Sequence, residues 1–181
     1  MASKVIYLFP TAMEASLFRK LESEAEVVVS GVGMVATSAT LAELWADGQI
    51  NRESIVVLSG IAGSYGDAVA KGEVVEVVEE RCIELPERFR VSYTLPKRSP
   101  LRGVVSNCVH RSGADSCGAE IENMEGASLF ALSEVLGFRA LELRAISNIV
   151  GEPFVSWRME EALKTLAEAL MQINKELICY E

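Results

Sequence analysis

Three polar residues stand where strand-like apolar runs give way to helices or turns: Glu14, Glu125 and Asn148. A carboxylate can take a proton from water or accept from hydroxyl groups, and an amide NH2 can donate to a departing group. Each residue also has an ordinary explanation. Thr11-Ala12-Met13-Glu14 is a capping-box pattern, which makes Glu14 a helix-start carboxylate. Glu125 lies in Glu122-Asn123-Met124-Glu125-Gly126-Ala127 at the start of a helix, where it would offset the dipole with Asn123 as cap. Asn148, in Arg144-Ala145-Ile146-Ser147-Asn148, would be a turn residue after a strand.

Other chemistries fit less well. The four cysteines, Cys82, Cys108, Cys117 and Cys179, have no C-x-x-C spacing and are read as unpaired. His110 is the single histidine, so a histidine-based metal site is not expected and a triad would need His110 as its base. Gly31-Val32-Gly33-Met34-Val35-Ala36 fits the dinucleotide fingerprint G-x-G-x-x-A. That fingerprint needs an acid at the end of the next strand. Ser59 and Gly60 stand there, and Glu53 precedes the strand. The motif is therefore read as a tight turn with close helix–strand packing. Gly60 to Gly66 lacks the Lys-Ser/Thr of a P-loop. No cofactor is expected.

The elements that would carry these residues alternate. Strands are expected at Val5–Phe9, Val27–Val29, Ile55–Leu58, Glu73–Val78, Gly103–Val109 and Leu141–Ile146. Helices are expected at Met13–Leu21, Val35–Trp45, Met124–Leu136 and Trp157–Cys179. Met159, Leu163, Leu166, Leu170, Ile173 and Leu177 recur at three- and four-residue steps along the last. The stretch from Leu85 to Pro100, rich in Arg, Pro and Lys, is expected to be a loop. Strands bounded by helices predict an α/β sheet with helices on both faces, and ligands in such sheets bind where strands end.

Composition narrows the partners. The chain has 181 residues, which fits a single domain over 1–181. Half of it is hydrophobic, enough for a packed core. With Lys+Arg 17 and Asp+Glu 26 the net charge is −9, which argues against nucleic acid and anionic membrane surfaces. No apolar run reaches the ~18 residues of a membrane span. Met1-Ala2-Ser3-Lys4 does not read as a signal peptide, so a cytoplasmic location is expected.

Taken together, five segments form an ordered series: Ala12-Met13-Glu14, Ser30-Gly31-Val32-Gly33, Ser59-Gly60-Ile61-Ala62-Gly63, Asn123-Met124-Glu125-Gly126-Ala127 and Arg144-Ala145-Ile146-Ser147-Asn148. The series resembles the nucleoside phosphorylase/nucleosidase superfamily, in the branch holding methylthioadenosine/S-adenosylhomocysteine nucleosidases and futalosine hydrolases. The likeness to futalosine hydrolases is the stronger, through Gly103-Val104-Val105-Ser106-Asn107, Met124 to Ser128, and Ser147 to Gly151 followed by Trp157. The resemblance implies a phosphorylase/hydrolase-like three-layer fold with a central twisted mixed sheet. It implies cofactor-free hydrolysis of a purine–ribose bond, most closely that of futalosine in a route to menaquinone.

By the same resemblance, Glu125 holds the ribose hydroxyls, Met124 packs under the sugar, and Glu14 orients or deprotonates the attacking water. Asn148 occupies the place where adenine-specific relatives keep an aspartate. Ala62 and Gly63 lie beside the substrate, and Ile61 replaces a serine of the adenine-specific relatives. Asn107 and His110 follow the strand whose end contacts the base in relatives. Arg144 either neutralises one of the carboxylates or simply ends a strand. The chain is shorter than those members, with the missing length falling near Leu85–Pro100. Relatives pair as dimers that complete each pocket from the partner, so a homodimer is expected, with Trp45 and the helix Val35–Trp45 as its interface.

The chemistry agrees with these assignments. Breaking an N-glycosidic bond builds positive charge on the ribose and negative charge on the base, and both need stabilising. A 6-oxopurine presents two acceptors, N7 and O6, which an asparagine NH2 suits better than a carboxylate does. Adenine presents N7 and a donor amino group, which a protonated aspartate suits. Asn148 therefore favours hypoxanthine-type bases. The alternatives that remain are a phosphorylase or adenine-type nucleosidase of the same fold, and a nucleoside-binding protein without activity. The first glycine loops, Thr11 to Ser16 and Gly31 to Val35, contain no Arg or Lys for phosphate, so hydrolysis is preferred.

Overall fold

The computed structural model describes residues 4–179, with side chains described through Lys175. Eight strands form one mixed sheet: β1 (Val5–Phe9), β2 (Glu26–Val29), β3 (Ile55–Ser64), β4 (Val74–Cys82), β5 (Val91–Thr94), β6 (Arg102–Cys108), β7 (Ile121–Asn123) and β8 (Arg139–Ile149). Four helices flank them: α1 (Ala12–Leu21), α2 (Met34–Ala46), α3 (Gly126–Leu136) and α4 (Met159–Cys179).

The alternation along β1 shows why helices cover both faces. Ile6 and Leu8 point into one apolar cluster with Leu41 and Leu44 of α2 and Leu129 and Phe130 of α3. Tyr7 and Phe9 point into a second, with Phe18 of α1 and Ala162, Leu166, Leu170 and Ile173 of α4. Successive strand residues face opposite sides, so a strand apolar at every position must be covered twice. The long helix expected from Trp157 begins at Met159 and buries the predicted stripe at Leu166, Leu170 and Ile173. Leu177 and the side chain of Cys179 lie outside the described side chains. Cys82, Cys108 and Cys117 are free thiols, as expected.

The sheet order is β2-β1-β3-β7-β6-β4-β5, and β8 pairs with both β3 and β4. The strands β3, β7, β6, β4 and β8 thus close into a ring, with β1 and β2 extending from β3 as a parallel wing. Both the mixed sheet and its two helical layers were anticipated; the closure was not.

Three expectations about the elements are corrected. β3 does not stop at Leu58 but runs through the glycines to Ser64. A side chain at Gly60 would approach Arg144 Nη1 to 2.8 Å and Glu14 Oε1 to 2.9 Å, and one at Gly63 would approach Asn148 Nδ2 to 3.2 Å. These glycines clear space inside a strand rather than make a turn. β8 likewise outruns Ile146, so Asn148 is a strand residue and not part of a turn. The stretch Leu85–Pro100 contains a 3-10 turn at Glu87–Phe89 and the edge strand β5, antiparallel to β4.

Candidate active site

A cavity of about 340 Å3 opens at the ends of the central strands. Its wall includes Glu14, Ile61, Ala62, Gly63, Met124, Glu125 and Asn148, brought from four separate segments of the chain. Among the described residues three carboxylates line it, Glu14, Glu122 and Glu125, and no Lys, Arg or His does. Met13, Val32, Phe154 and Trp157 give it an apolar mouth.

Glu14 is both a helix-start carboxylate and part of the cavity wall. Thr11 caps α1: its Oγ1 accepts from the Glu14 N–H at 3.2 Å and donates to Glu14 Oε2 at 2.6 Å. The other oxygen, Oε1, accepts the Ile61 N–H at 3.1 Å. The capping residue therefore fixes the carboxylate against the cavity as well as the helix against its loop.

Glu125 is positioned by the glycine turn that imitated a dinucleotide motif. Gly33 has a φ of 91°, a left-handed conformation that favours glycine, and its N–H donates to Glu125 Oε1 at 2.9 Å. Close helix packing is also present, since a Cβ on Gly31 would meet that of Ala36 at 3.0 Å. The N-cap position of α3 is Glu125 and not Asn123 as expected, but Asn123 Oδ1, from two residues earlier, accepts from the N–H groups of Glu125 and Gly126 at 2.9 and 2.8 Å.

Arg144 neutralises carboxylates and does not end a strand. It is fully buried in mid-β8, with Nε 2.7 Å from Glu142 Oε1 and Nη1 3.2 Å from Glu125 Oε2. Burial works against its charge, but Glu142 and Glu125 more than offset this and hold the guanidinium above its ordinary pKa. Arg144 does not line the cavity but supports its wall from behind, at Glu125, at Asn123 Oδ1 and at the Ile61 carbonyl.

Asn148 enters the wall through an irregularity. The β3–β8 register pairs Ala62 with Ile146 and then Gly63 with Asn148, leaving Ser147 as the extra residue of a bulge. Ser147 Oγ donates to Asn148 Oδ1 at 2.8 Å, while Nδ2 donates to the Ile149 carbonyl at 3.1 Å and keeps a second N–H.

Asn107 does not join the group. It is buried in β6, where its Nδ2 donates to Tyr65 Oη and to the carbonyls of Asp115 and Ser116. Val109 and Ser112 supply the cavity wall there instead. His110 is exposed and also stands outside the lining. Sequence reasoning missed Glu122, which lines the cavity and accepts from Ser112 Oγ, the Gly113 N–H and Tyr65 Oη. Its one signal was adjacency to Asn123-Met124-Glu125.

The fold has counterparts of known structure. The fold matches the methylthioadenosine/S-adenosylhomocysteine nucleosidase of Helicobacter pylori at a TM-score of 0.83, covering 97% of this chain and 99% of that one at 15% identity. It matches the futalosine hydrolase of the same species at a TM-score of 0.82, 97% and 99% coverage and 16% identity. This is the nucleoside phosphorylase/nucleosidase fold. Within sequences, the futalosine hydrolase of Thermus thermophilus is 45% identical over 60 residues, which span 33% of this chain and 27% of that protein. No protein-family model matches the chain. In this fold β3, β7 and β8 with the starts of α1 and α3 supply much of the cavity wall, and they carry all three of the residues first singled out. No helix among the described residues is long and apolar enough to cross a membrane.

Proposed function

We propose that this chain is a purine nucleoside hydrolase that cleaves the N-ribosidic bond of a 6-oxopurine nucleoside, with futalosine as substrate and hypoxanthine as the released base. The observation carrying this reading is that Glu14, Glu125 and Asn148 line one cavity. Glu125, backed by Arg144 and the Gly33 N–H, accepts from the ribose hydroxyls and stabilises the developing cation. Water attacks C1′ while Glu14 takes its proton, and the C1′–N9 bond breaks with its electron pair leaving on the base. The free N–H of Asn148 stabilises that charge at N7 or O6, and the base gains a proton from solvent. Ser147 holds the amide oxygen, which keeps the NH2 available to the base.

The carboxylate-lined wall favours water over phosphate as the nucleophile, since a phosphate dianion would face Glu14, Glu122 and Glu125 with no lining cation. The experiment is chromatography of products from futalosine, inosine and methylthioadenosine, with and without phosphate. Hypoxanthine release without phosphate is expected. Dependence on phosphate would make the protein a phosphorylase, and no release from any nucleoside would leave the reading of a binding protein.

We further propose that the protein is a homodimer; Trp45, the expected contact, is half-buried against the core cluster that holds Leu41 and Leu44 and offers only part of its surface to a partner. The apolar mouth is the better interface: Met13, Val32 and Phe154 are 55%, 56% and 68% exposed, and a second copy would cover them. Light scattering at micromolar concentration should give twice the chain mass; a monomer would remove the claim.

A further inference from the structure

Behind Glu125, sealed from the cavity, lie two more carboxyl groups that the proposed reaction does not use. Glu80 of β4 and Glu142 of β8 are both fully buried. They press on one point: a methyl on Gly126 would overlap Glu80 Oε1 and Glu142 Oε2. Converging on that one point, the two carboxyls stand side by side. Around Glu80 stand Ser106 of β6 and Asn123 of β7, whose Nδ2 donates to Glu80 Oε1. Glu142 and Arg144 face it from β8, and the thiols of Cys82 and Cys108 are its other titratable neighbours.

The charges do not balance. Glu80, Glu142 and Glu125 share one buried guanidinium, Arg144, which is bonded to Glu142 and Glu125 but not to Glu80. Three ionised carboxylates would leave two uncompensated negative charges in a dry interior, a desolvation penalty proteins avoid by binding a proton. Moreover, Glu80 Oε2 and Glu142 Oε2 are both buried without a hydrogen-bond partner. An unpaired buried acceptor is costly, and a buried carboxyl that keeps its proton becomes a donor.

We propose that Glu80 and Glu142 share a single proton, carried mainly by Glu80, so that Arg144 divides its charge between Glu142 and Glu125 alone. The proton turns one of two like-charged neighbours into a donor. It makes Glu80 a positioning residue: neutral Glu80 braces Glu142, Glu142 orients Arg144 through Nε, and Arg144 backs Glu125. Burial, with the adjacent Glu142, raises the Glu80 carboxyl well above the usual range, and burial likewise raises Glu142. The consequence for Glu125 rests on the reading of Glu125 as the ribose-holding group; the proton itself does not.

The test uses the full-length protein and needs no substrate. Glu80→Gln replaces a neutral acid by a neutral amide of the same shape that can also donate to Glu142. A carboxyl protonated in the folded chain ionises on unfolding, at about pH 4.3 for an ordinary Glu. Its contribution is therefore fully present below that value and is lost as pH rises toward the folded value. Above about pH 5, and until the folded value is reached, wild type should lose stability relative to Glu80→Gln, by roughly tenfold in the folding constant for each pH unit. Infrared spectra of wild type near neutral pH should show the carbonyl stretch of a protonated carboxyl, missing in Glu80→Gln. Glu80→Leu, which fills the space but cannot donate, should not reproduce the Gln variant's stability. Parallel stability curves for wild type and Glu80→Gln, or a wild-type spectrum without that carbonyl band, would overturn the proposal. The infrared measurement on wild type decides it even if the variant does not fold. Wild type that shows the band but releases no base from any nucleoside would instead count against the reading of Glu125.

Discussion

The two walls of the cavity are built on opposite principles. The wall at Glu125 is charged and layered: a carboxylate, a guanidinium behind it, a second carboxylate behind that, with a backbone N–H from Gly33 alongside. The wall at Asn148 is neutral: an amide held by a hydroxyl, placed by a bulge over bare Gly63. On the proposed reading the charged wall meets the sugar, where a cation develops, and the neutral donor meets the base, where electrons depart. Charge is fixed where the reaction requires it permanently, and a dipole serves where a carboxylate would repel O6.

The largest break in this contrast should come from the charged side. Glu125→Gln and Glu14→Gln are each expected to lower the rate of hypoxanthine release by at least ~100-fold, the scale for a positioned acid–base or electrostatic group. Thermal unfolding, measured on the same samples, should show a folded protein in both cases. A variant that unfolds while its folded fraction keeps full activity would reduce that residue to a helix-end carboxylate.

On the neutral side the change should be one of preference. Asn148→Asp gives the amide wall an acid that, when protonated, can donate to N7 and accept from a 6-amino group. A mispaired buried edge costs roughly 1–3 kcal/mol, so the ratio of catalytic efficiencies for inosine and adenosine should shift toward adenosine by about ten- to a hundredfold. The variant's adenosine rate should rise as pH falls, because only the protonated carboxyl donates. An unchanged ratio would mean that Asn148 does not face the base.

The smallest effect should follow Thr11→Ala. It removes the cap that also donates to Glu14 Oε2, and losing such a cap costs about 1 kcal/mol. Denaturant unfolding should register that loss, with a rate reduction smaller than that of Glu14→Gln. No change in either quantity would mean that Glu14 is held by the Ile61 N–H alone.

How far these walls can be read in the sequence depends on whether each partner is local. The cap at Thr11 and Glu14 lies within one turn, and Asn123 reaches only two and three residues ahead, so both were legible. The alternation of β1 and the stripe of α4 were legible because burial imposes a period. Gly60 and Gly63 were read as a loop because glycine ordinarily punctuates, and what they clear, Arg144 and Asn148, arrives some 80 residues later. β7 was missed because Ile121-Glu122-Asn123 holds one apolar residue in three. Glu80 and Glu142 were not singled out, Glu80 lying beyond the expected strand Glu73–Val78; both are fully buried in the ring that β4 and β8 help to close. Asn107 fell where the resemblance pointed, but its amide is taken up by Tyr65 and the 115–116 backbone.

The closing of the ring by β8 also governs the order in which the molecule can become competent. β8 is the last strand in the chain, yet it pairs with β3 and β4, which precede it by some 60 to 80 residues. Pairings over such separations carry a large loop-closure entropy and form late in folding. The same strand brings Glu142, Arg144, Ser147 and Asn148. A nascent chain that has not yet released β8 from the ribosome has its glycines, Glu14 and Glu125 but neither Arg144 nor Asn148. Recovery of catalysis on refolding should therefore coincide with the final burial of the core, with no active species preceding it.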